Sequence, residues 1–245
     1  AISAGSAEDQ HWVGRRVYAL TGGGGYAEQA VLPVAALLPI DEGVTSEMAV
    51  ALGANGLVAY FALQRTALGA GDSVLVRGAS GGIGSAAVQA AARLGARVTA
   101  STGSARYADQ LQQLGAHQIV GREAQEGARY DVIIDPVAGA DMAAHLQTLK
   151  PNGRYVVCGA AGGFPPTDFA WPLVTGFANS FSLSALSLSS IAPATLAAAS
   201  ESLLNDVAAG LIQPSIGATF PLSEAAEAHQ ALESGTVFGK LILTP

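Results

Sequence analysis

The sequence predicts an α/β protein in which a doubly wound parallel sheet is joined to a smaller β unit. From Ser73 onward, short β-branched runs alternate with longer alanine-rich stretches, which is the sequence form of repeated βαβ units. A glycine-rich turn follows the first of these strands. Before residue 46 the pattern differs, because short apolar runs surround four glycines at 22–25, as is typical of antiparallel strands and tight turns.

Five short strands and two helices are predicted within the sheet. The helices cover 82–94 and 104–114, where apolar residues recur at helical spacing. Each helix is followed by a glycine, Gly95 or Gly115, that tolerates the positive φ of a C-cap. The predicted strands are SVLVRG at 73–78, RVTAS at 97–101, HQIV at 117–120, DVIID at 131–135 and RYVVCG at 154–159.

The small β unit is predicted from both ends of the chain. Near the start, RVYAL, YAEQAVL and LLPI resemble short antiparallel strands, and a helix from about Ser46 to Thr66 leads into the sheet. After Ser223 the tail is predicted as an amphipathic helix followed by the strand GKLILT. We therefore assign 1–45 and 214–245 to the small unit, and 46–213 to the sheet domain.

Composition excludes several classes of function. Nineteen acidic residues against twelve basic ones give a net charge of −7, which argues against nucleic-acid binding. The single cysteine, Cys158, permits neither an intrachain disulfide nor a cysteine-based zinc cluster, and it fits a reducing, cytoplasmic compartment. Two uncharged stretches, 48–64 and 169–200, contain glycine, asparagine, proline or many serines, so no membrane span is predicted.

The strongest local signal is the run VLVRGASGGIGSAAVQAAARLG. A strand there enters a turn with glycines at 78, 81, 82 and 84, and the turn opens a helix at the start of a βαβ run. Backbone N–H groups at a helix N-terminus bind phosphate, and side chains at these positions would obstruct its approach. The turn therefore indicates a nucleotide-binding site, with the hydroxyl of Ser80 as a further phosphate contact.

Short-chain dehydrogenases share such a turn but also need a Tyr-x-x-x-Lys pair for proton transfer. The two lysines of the chain, Lys150 and Lys240, are preceded four residues earlier by Leu146 and Thr236. More than 70 residues also precede the turn, which in that class lies near the N-terminus. This class is therefore excluded.

Taken together, several segments resemble the zinc-independent medium-chain dehydrogenase/reductases, the quinone oxidoreductase group and its enoyl-reductase relatives. The resemblance covers nearly the whole chain. It implies a Rossmann domain joined to a partial GroES-like β-barrel, with NADPH held in the cleft between them. The segments are VGRRVYAL, GYAEQAVLP, ALGANGLVAYFAL, GASGGIG, IIDPVAG, VVCGAAGG and FGKLILTP.

NADPH is favoured over NADH by the end of the second strand. An NAD site usually has an acid about 20 residues beyond the glycine turn, whereas residues 100–104 contain none. Arg106 follows instead, and a guanidinium suits a 2′-phosphate; Arg122 is a second candidate. With the positions that the resemblance implies, the predicted cofactor contacts are Gly78, Ser80, Gly81, Gly82, Ile83, Gly84, Ser101, Thr102, Ser104, Arg106, Val137, Gly159, Phe238, Gly239 and Lys240.

No metal ligand and no catalytic residue are assigned. Ala54 occupies the position that resembles a catalytic zinc ligand of zinc-containing relatives. Asp135 is predicted to cap the next helix or to fix the loop lining the cofactor. The histidines at 11, 117, 145 and 229 are predicted as surface or capping residues.

The resemblance implies hydride transfer from NADPH to a quinone or to an α,β-unsaturated carbonyl. It also implies that the substrate side of the cleft is built largely by a segment preceding Ala1, so we expect a fragment or a reduced barrel. Two alternatives therefore stay open: a nucleotide-binding module without turnover, and an enoyl-reductase domain from a multidomain synthase. The segment FSLSALSLSS at 181–190 is predicted as a sheet-edge strand that pairs with a second copy in a homodimer.

Overall fold

A computed structural model describes residues 3–245, which contain ten strands and seven α-helices. The strands are β1 (Val17–Tyr18), β2 (Leu38–Pro39), β3 (Ser73–Val76), β4 (Arg97–Ser101), β5 (Gln118–Val120), β6 (Tyr130–Asp135), β7 (Leu149–Val157), β8 (Ser182–Ala185), β9 (Ile216–Pro221) and β10 (Lys240–Thr244). The helices are α1 (Ser46–Arg65), α2 (Gly82–Arg93), α3 (Ala108–Gln113), α4 (Met142–Leu146), α5 (Trp171–Thr175), α6 (Pro193–Ala208) and α7 (Ala225–Glu233).

The chain divides into two compact units. One, here called the sheet unit, is Val58–Ser190; the other, the flanking unit, combines Ala1–Leu57 with Ile191–Pro245. These boundaries differ from the predicted domain limits, because α6 and the first part of α1 group with the flanking unit. There Ala208 lies beside Gly43, and Leu203 lies against Gly56. The predicted domain assignment itself stays a prediction.

The sheet unit contains a six-stranded parallel sheet in the order β5-β4-β3-β6-β7-β8. The order reverses between β3 and β6, so the predicted doubly wound sheet is confirmed. Its central strands are buried on both faces: Val74 and Val76 of β3 and Ile133 of β6 are almost inaccessible to solvent. One side of the core is built on Ile133 and Leu146.

All five strands predicted in the sheet form, and β4 has the predicted bounds. The helix predicted at 104–114 forms as a 3₁₀ turn at Ala105–Tyr107 followed by α3. The edge strand predicted at 181–190 is shorter, since β8 ends at Ala185 and a 3₁₀ turn covers Leu188–Ser190. Its place at the sheet edge is confirmed.

The flanking unit has two pairs of strands. Strands β1 and β2 are antiparallel, as predicted, whereas β9 and β10 are parallel, and β9 was not predicted. The strand predicted in YAEQAVL at 26–32 is wrong: these residues pair with no strand in the described part of the chain, and Val31 is fully exposed. A segment with strand-like residues forms a strand only when it can pair with another strand and bury its apolar side chains, and within the described chain this segment does neither.

Helix α1 is the one helix within residues 3–245 that is long and apolar enough to cross a membrane, judged by length and composition alone. Half of the most apolar 18-residue stretch of this helix is buried inside the molecule. The core helix of a soluble protein meets the same criteria, and Ala49 and Leu57 of α1 are fully buried.

Candidate cofactor site

The glycine turn between β3 and α2 has a backbone that side chains would not allow. Gly78 has a φ of +55°, and a Cβ atom there would lie 2.8 Å from Cγ2 of Val137. A Cβ atom at Gly84 would overlap the carbonyl oxygen of Gly78. These two glycines are therefore required, one for its conformation and one for the close packing of the helix on the turn.

The N-terminus of α2 is open to an anion. Gly81 is the N-cap, and no side chain of the described residues caps the helix. The first intrahelical bond joins the Ser85 N–H to the Gly81 carbonyl, at 2.9 Å, so the N–H groups of Gly82, Ile83 and Gly84 have no intrahelical acceptor. Such N–H groups and the helix dipole together favour a phosphate at this position.

Four of the predicted polar contacts gather where β4 ends beside the turn. Thr102 Oγ1 donates to Ser80 Oγ at 3.1 Å and accepts from the Ser104 N–H at 3.3 Å. Ser101 Oγ donates to the carbonyl of Gly121 at 2.9 Å, which ties β4 to the loop after β5. The carboxyl ends of β3, β4 and β5 thus form one polar surface, the usual place for a nucleotide in an open parallel sheet.

Two arginines lie at this end of the sheet. The Arg106 Nη2 donates to the Tyr107 hydroxyl at 2.7 Å, and its guanidinium lies 4.7 Å from the centre of the Tyr107 ring. The Arg122 guanidinium lies directly against Gly103, where a Cβ atom would overlap it. Both arginines are exposed to solvent and border the place where an NAD site would carry its acid.

The loop after β6 is fixed by Asp135, as predicted. One carboxylate oxygen accepts the N–H groups of Val137 and Ala138, at 2.8 and 2.9 Å. Gly159, which follows β7, packs against this loop, since a Cβ atom there would be 2.6 Å from the Pro136 carbonyl oxygen. Of the predicted contacts, Val137 therefore lies beside Gly78, and Gly159 packs against Pro136, the residue before Val137.

Sequence reasoning missed a buried ion network beneath these loops. Arg77, at the end of β3, donates to Asp135 at 2.8 Å and to Asp141 at 2.6 Å. The Tyr155 hydroxyl also donates to Asp135, and burial together with that carboxylate raises the pKa of Tyr155. Burial alone would lower the pKa of Arg77, but Asp135, Tyr155 and Asp141 outweigh it and raise the pKa, so the guanidinium stays charged. The sequence signal that could have revealed this network is Arg77 itself, a charged residue within the apolar strand predicted at 73–78.

His145 corrects a prediction, because it is a core residue and not a surface or capping one. It is 1 % exposed, and its Nε2 lies 3.0 Å from the Arg122 carbonyl and 3.3 Å from Asp141 Oδ2. Burial, reinforced by the charge of Arg77, lowers the pKa of His145. The imidazole is therefore neutral at physiological pH.

Comparisons with known proteins show which family the chain belongs to. Residues 107–243 match the family of zinc-binding dehydrogenases. The chain is 32% identical to the quinone oxidoreductase of Mus musculus over 247 residues, which are 94% of this chain and 72% of that protein. It belongs to the quinone oxidoreductase group of the medium-chain dehydrogenase/reductases. It is also 37% identical over 152 residues to the acrylyl-CoA reductase of Ruegeria pomeroyi, 57% of this chain and 46% of that one.

Solved structures of other proteins are similar to this chain over nearly its whole length. A mycobacterial protein solved with NADPH has a TM-score of 0.86 at 28% identity, and the match covers 95% of this chain and 76% of that one. As a member of this family, the chain is an oxidoreductase. The predicted Rossmann-type fold is confirmed.

The other unit carries the remaining predicted contacts of this oxidoreductase. Gly239 has a φ of +82°, and a Cβ atom there would overlap the Ser215 carbonyl oxygen. The Lys240 N–H donates to that same carbonyl at 2.9 Å, at the start of β10. Phe238, Gly239 and Lys240 thus form a tight strand entry in the flanking unit, and their part in cofactor binding stays a prediction.

Cys158 lies just after β7, where its N–H donates to the Asp135 carbonyl at 2.8 Å. Burial, with a smaller contribution from the Asp135 charge, raises the pKa of its thiol to about 12. The thiol is therefore protonated at neutral pH and is a poor nucleophile.

Proposed function

We propose that this oxidoreductase uses NADPH to reduce a quinone or the carbon–carbon double bond of an α,β-unsaturated carbonyl compound, without zinc. The observation that carries the proposal is the phosphate-binding turn with two arginines beside the end of β4. The names of the relatives, quinone oxidoreductase and acrylyl-CoA reductase, support both classes of substrate.

NADPH is the cofactor, as predicted, since one structural relative was solved with NADPH and another with NADP. The residues of this chain fit it. The N–H groups of Gly82, Ile83 and Gly84 would hold the pyrophosphate. The backbone at Gly81 is open enough for the pyrophosphate to approach, because even an added Cβ atom there would meet only one backbone atom, at 3.4 Å. The positive charges of Arg106 and Arg122, both exposed beside the end of β4, would attract the 2′-phosphate.

When bound, NADPH supplies a hydride from its nicotinamide ring. The chain's own residues bind and orient. Val137 and Gly159 follow the ends of the neighbouring strands β6 and β7, and Asp135 keeps the loop that carries Val137 rigid through two backbone N–H groups. Rate enhancement without a metal depends on such orientation and on excluding water from the reacting atoms.

Zinc independence is supported by the donor set. The chain has one cysteine, and α1 carries Ala54 at the position resembling a zinc ligand. Within residues 3–245, no three His, Cys, Asp or Glu side chains are grouped to hold a metal ion. Dialysis against a chelator should therefore leave the rate unchanged, and loss of activity that zinc restores would contradict the proposal.

The test of function is NADPH oxidation by the purified protein against a panel of quinones, enones and enoyl thioesters. We expect turnover with at least one class and none with saturated analogues. Gly84→Ala, which forces the helix away from the turn, should abolish it, whereas Arg129→Ala, an exposed arginine before β6, should not. Normal NADPH binding without any turnover would instead support a nucleotide-binding module, and activity confined to carrier-bound enoyl groups would support a synthase domain.

We also propose a homodimer formed through β8 in the cytoplasm. This strand is the outer edge of the sheet, and within residues 3–245 it pairs only with β7. Large apolar side chains stand exposed in the segment before it, including Trp171, Val174 and Phe177. Light scattering at micromolar concentration should report a dimer, and a monomer would overturn this assembly.

A further inference from the structure

Two buried side chains hold the backbone on which Arg122 is mounted. Ser101 Oγ donates to the Gly121 carbonyl at 2.9 Å, and His145 Nε2 lies 3.0 Å from the next carbonyl, that of Arg122. Ser101 is 2 % exposed and His145 is 1 % exposed. A surface loop is thus fixed at two successive peptide groups by donors from the core.

The protonation state of His145 follows from its contacts. Nε2 is within reach of two acceptors, the Arg122 carbonyl at 3.0 Å and Asp141 Oδ2 at 3.3 Å, so Nε2 carries the proton. Nδ1 is buried and has no partner within residues 3–245, so it is the unprotonated nitrogen. Asp141 is held in turn by Arg77 at 2.6 Å, and the ring orientation is therefore fixed.

The side chain of Arg122 lies where a nucleotide ribose is expected. Its guanidinium covers Gly103, and a Cβ atom at Gly103 would overlap it. Gly103 follows the end of β4 at the distance from the turn where NAD enzymes place an acid for the ribose hydroxyl. No carboxylate of the described chain pairs with the Arg122 guanidinium, so its charge is available to an anion.

We propose that Arg122 sets the preference of this enzyme for NADPH over NADH, and that His145, oriented by Asp141, is the positioning residue that presents it. The inference rests on the proposed function, in which NADPH is the electron donor. The sequence prediction put Arg106 first and Arg122 second, and the contacts favour the reverse order. The Arg106 guanidinium is engaged with the Tyr107 ring and hydroxyl, whereas the Arg122 guanidinium lies over Gly103, where an NAD site would carry its acid.

Equilibrium binding of NADPH and NADH, followed by nicotinamide fluorescence with no substrate present, tests the inference. Arg122→Ala should weaken NADPH binding by roughly 10- to 100-fold, the usual worth of a charge-assisted phosphate contact, and leave NADH binding unchanged. The matched control is Arg129→Ala. Arg129 is also exposed, but it directly precedes β6 and so lies at the amino ends of the parallel strands, away from the carboxyl ends that carry the site.

Variants of His145 separate positioning from general stability. His145→Phe removes the donor to the Arg122 carbonyl and should lower NADPH affinity about tenfold without changing NADH affinity. His145→Gln keeps an N–H donor and should retain the preference. Because Arg122 is exposed, Arg122→Ala folds even where a core variant fails, and it tests the inference by itself.

The outcomes separate this inference from the function on which it rests. If the unaltered enzyme prefers NADPH while Arg122→Ala keeps that preference, the assignment to Arg122 is wrong and the function stands. If Arg106→Ala alone removes the preference, selectivity lies at Arg106 and the inference is overturned. If the unaltered enzyme binds NADH as tightly as NADPH, the cofactor assignment itself fails.

Discussion

Replacing Arg77 by methionine tests the buried ion network at the end of β3. The Arg77 side chain is 3% exposed and pairs with the fully buried Asp135 at 2.8 Å. Methionine keeps much of the aliphatic volume but removes the cation. The substitution therefore leaves a carboxylate in the core without its counter-charge.

The expected magnitude follows from the contacts that remain. Removing one partner of a buried pair costs about 3–5 kcal/mol of unfolding free energy. Asp135 keeps the N–H groups of Val137 and Ala138 and the Tyr155 hydroxyl, so we expect the lower end, about 3 kcal/mol. In a chain of this size each kcal/mol lowers the melting temperature by about 2–4 °C, which predicts a fall of about 6–12 °C.

Urea titration and thermal melting, followed by circular dichroism, measure this change. The matched control is Arg154→Met, because Arg154 pairs with Asp72 at 2.9 Å but both side chains are about a third exposed, at 30% and 28%. That pair should contribute about 1 kcal/mol or less. A loss below about 1 kcal/mol in Arg77→Met, or an equal loss in both variants, would refute the argument from burial.

Three further predictions concern pH, packing and reactivity. Lys150 and Ser73 lower the pKa of Asp131 to about 2 although its burial would raise it, so the stability that this carboxylate contributes is present above pH 4 and is lost as the pH falls toward 2. Because Asp131 is partly exposed, the loss is about 1 kcal/mol or less. Asp131→Asn should remove this part of the pH dependence of stability, measured by urea titration. Gly84→Ala should lower the melting temperature markedly, because the added Cβ atom overlaps the backbone of the turn. Gly81→Ala should not, because its Cβ atom would lie 3.4 Å from the nearest backbone atom. Equal falls in melting temperature for the two variants would contradict this packing argument. The Cys158 thiol, with its pKa raised to about 12, should react with iodoacetamide far more slowly in the native protein at pH 8 than in urea, and equal rates would show an ionised or open thiol.

The sheet and the phosphate turn were predictable because local sequence determines them. The runs that form β3, β4 and β6 are buried on both faces and bounded by turn residues, and the turn glycines stand between a strand and a helix. The predicted contacts Ser80 and Thr102 do lie together, because parallel strands bring their carboxyl ends to one edge.

The remainder depended on tertiary partners that no local pattern records. The run YAEQAVL is strand-like in composition, yet no described strand pairs with it. In the sequence His145 is an isolated polar residue, but its burial is possible because Asp141 and the Arg122 carbonyl lie within reach of its Nε2–H as hydrogen-bond acceptors. Arg77 gave a signal, a charge within an apolar strand, but its partners are more than fifty positions away in the sequence.

The rate of NADPH oxidation by a quinone or an enone, measured beside the rate with NADH at equal concentrations, shows whether this chain is a metal-independent reductase that uses NADPH. We expect turnover that needs no added metal and a higher kcat/KM with NADPH than with NADH. Absence of turnover with every quinone, enone and enoyl thioester by a protein that binds NADPH normally would contradict it.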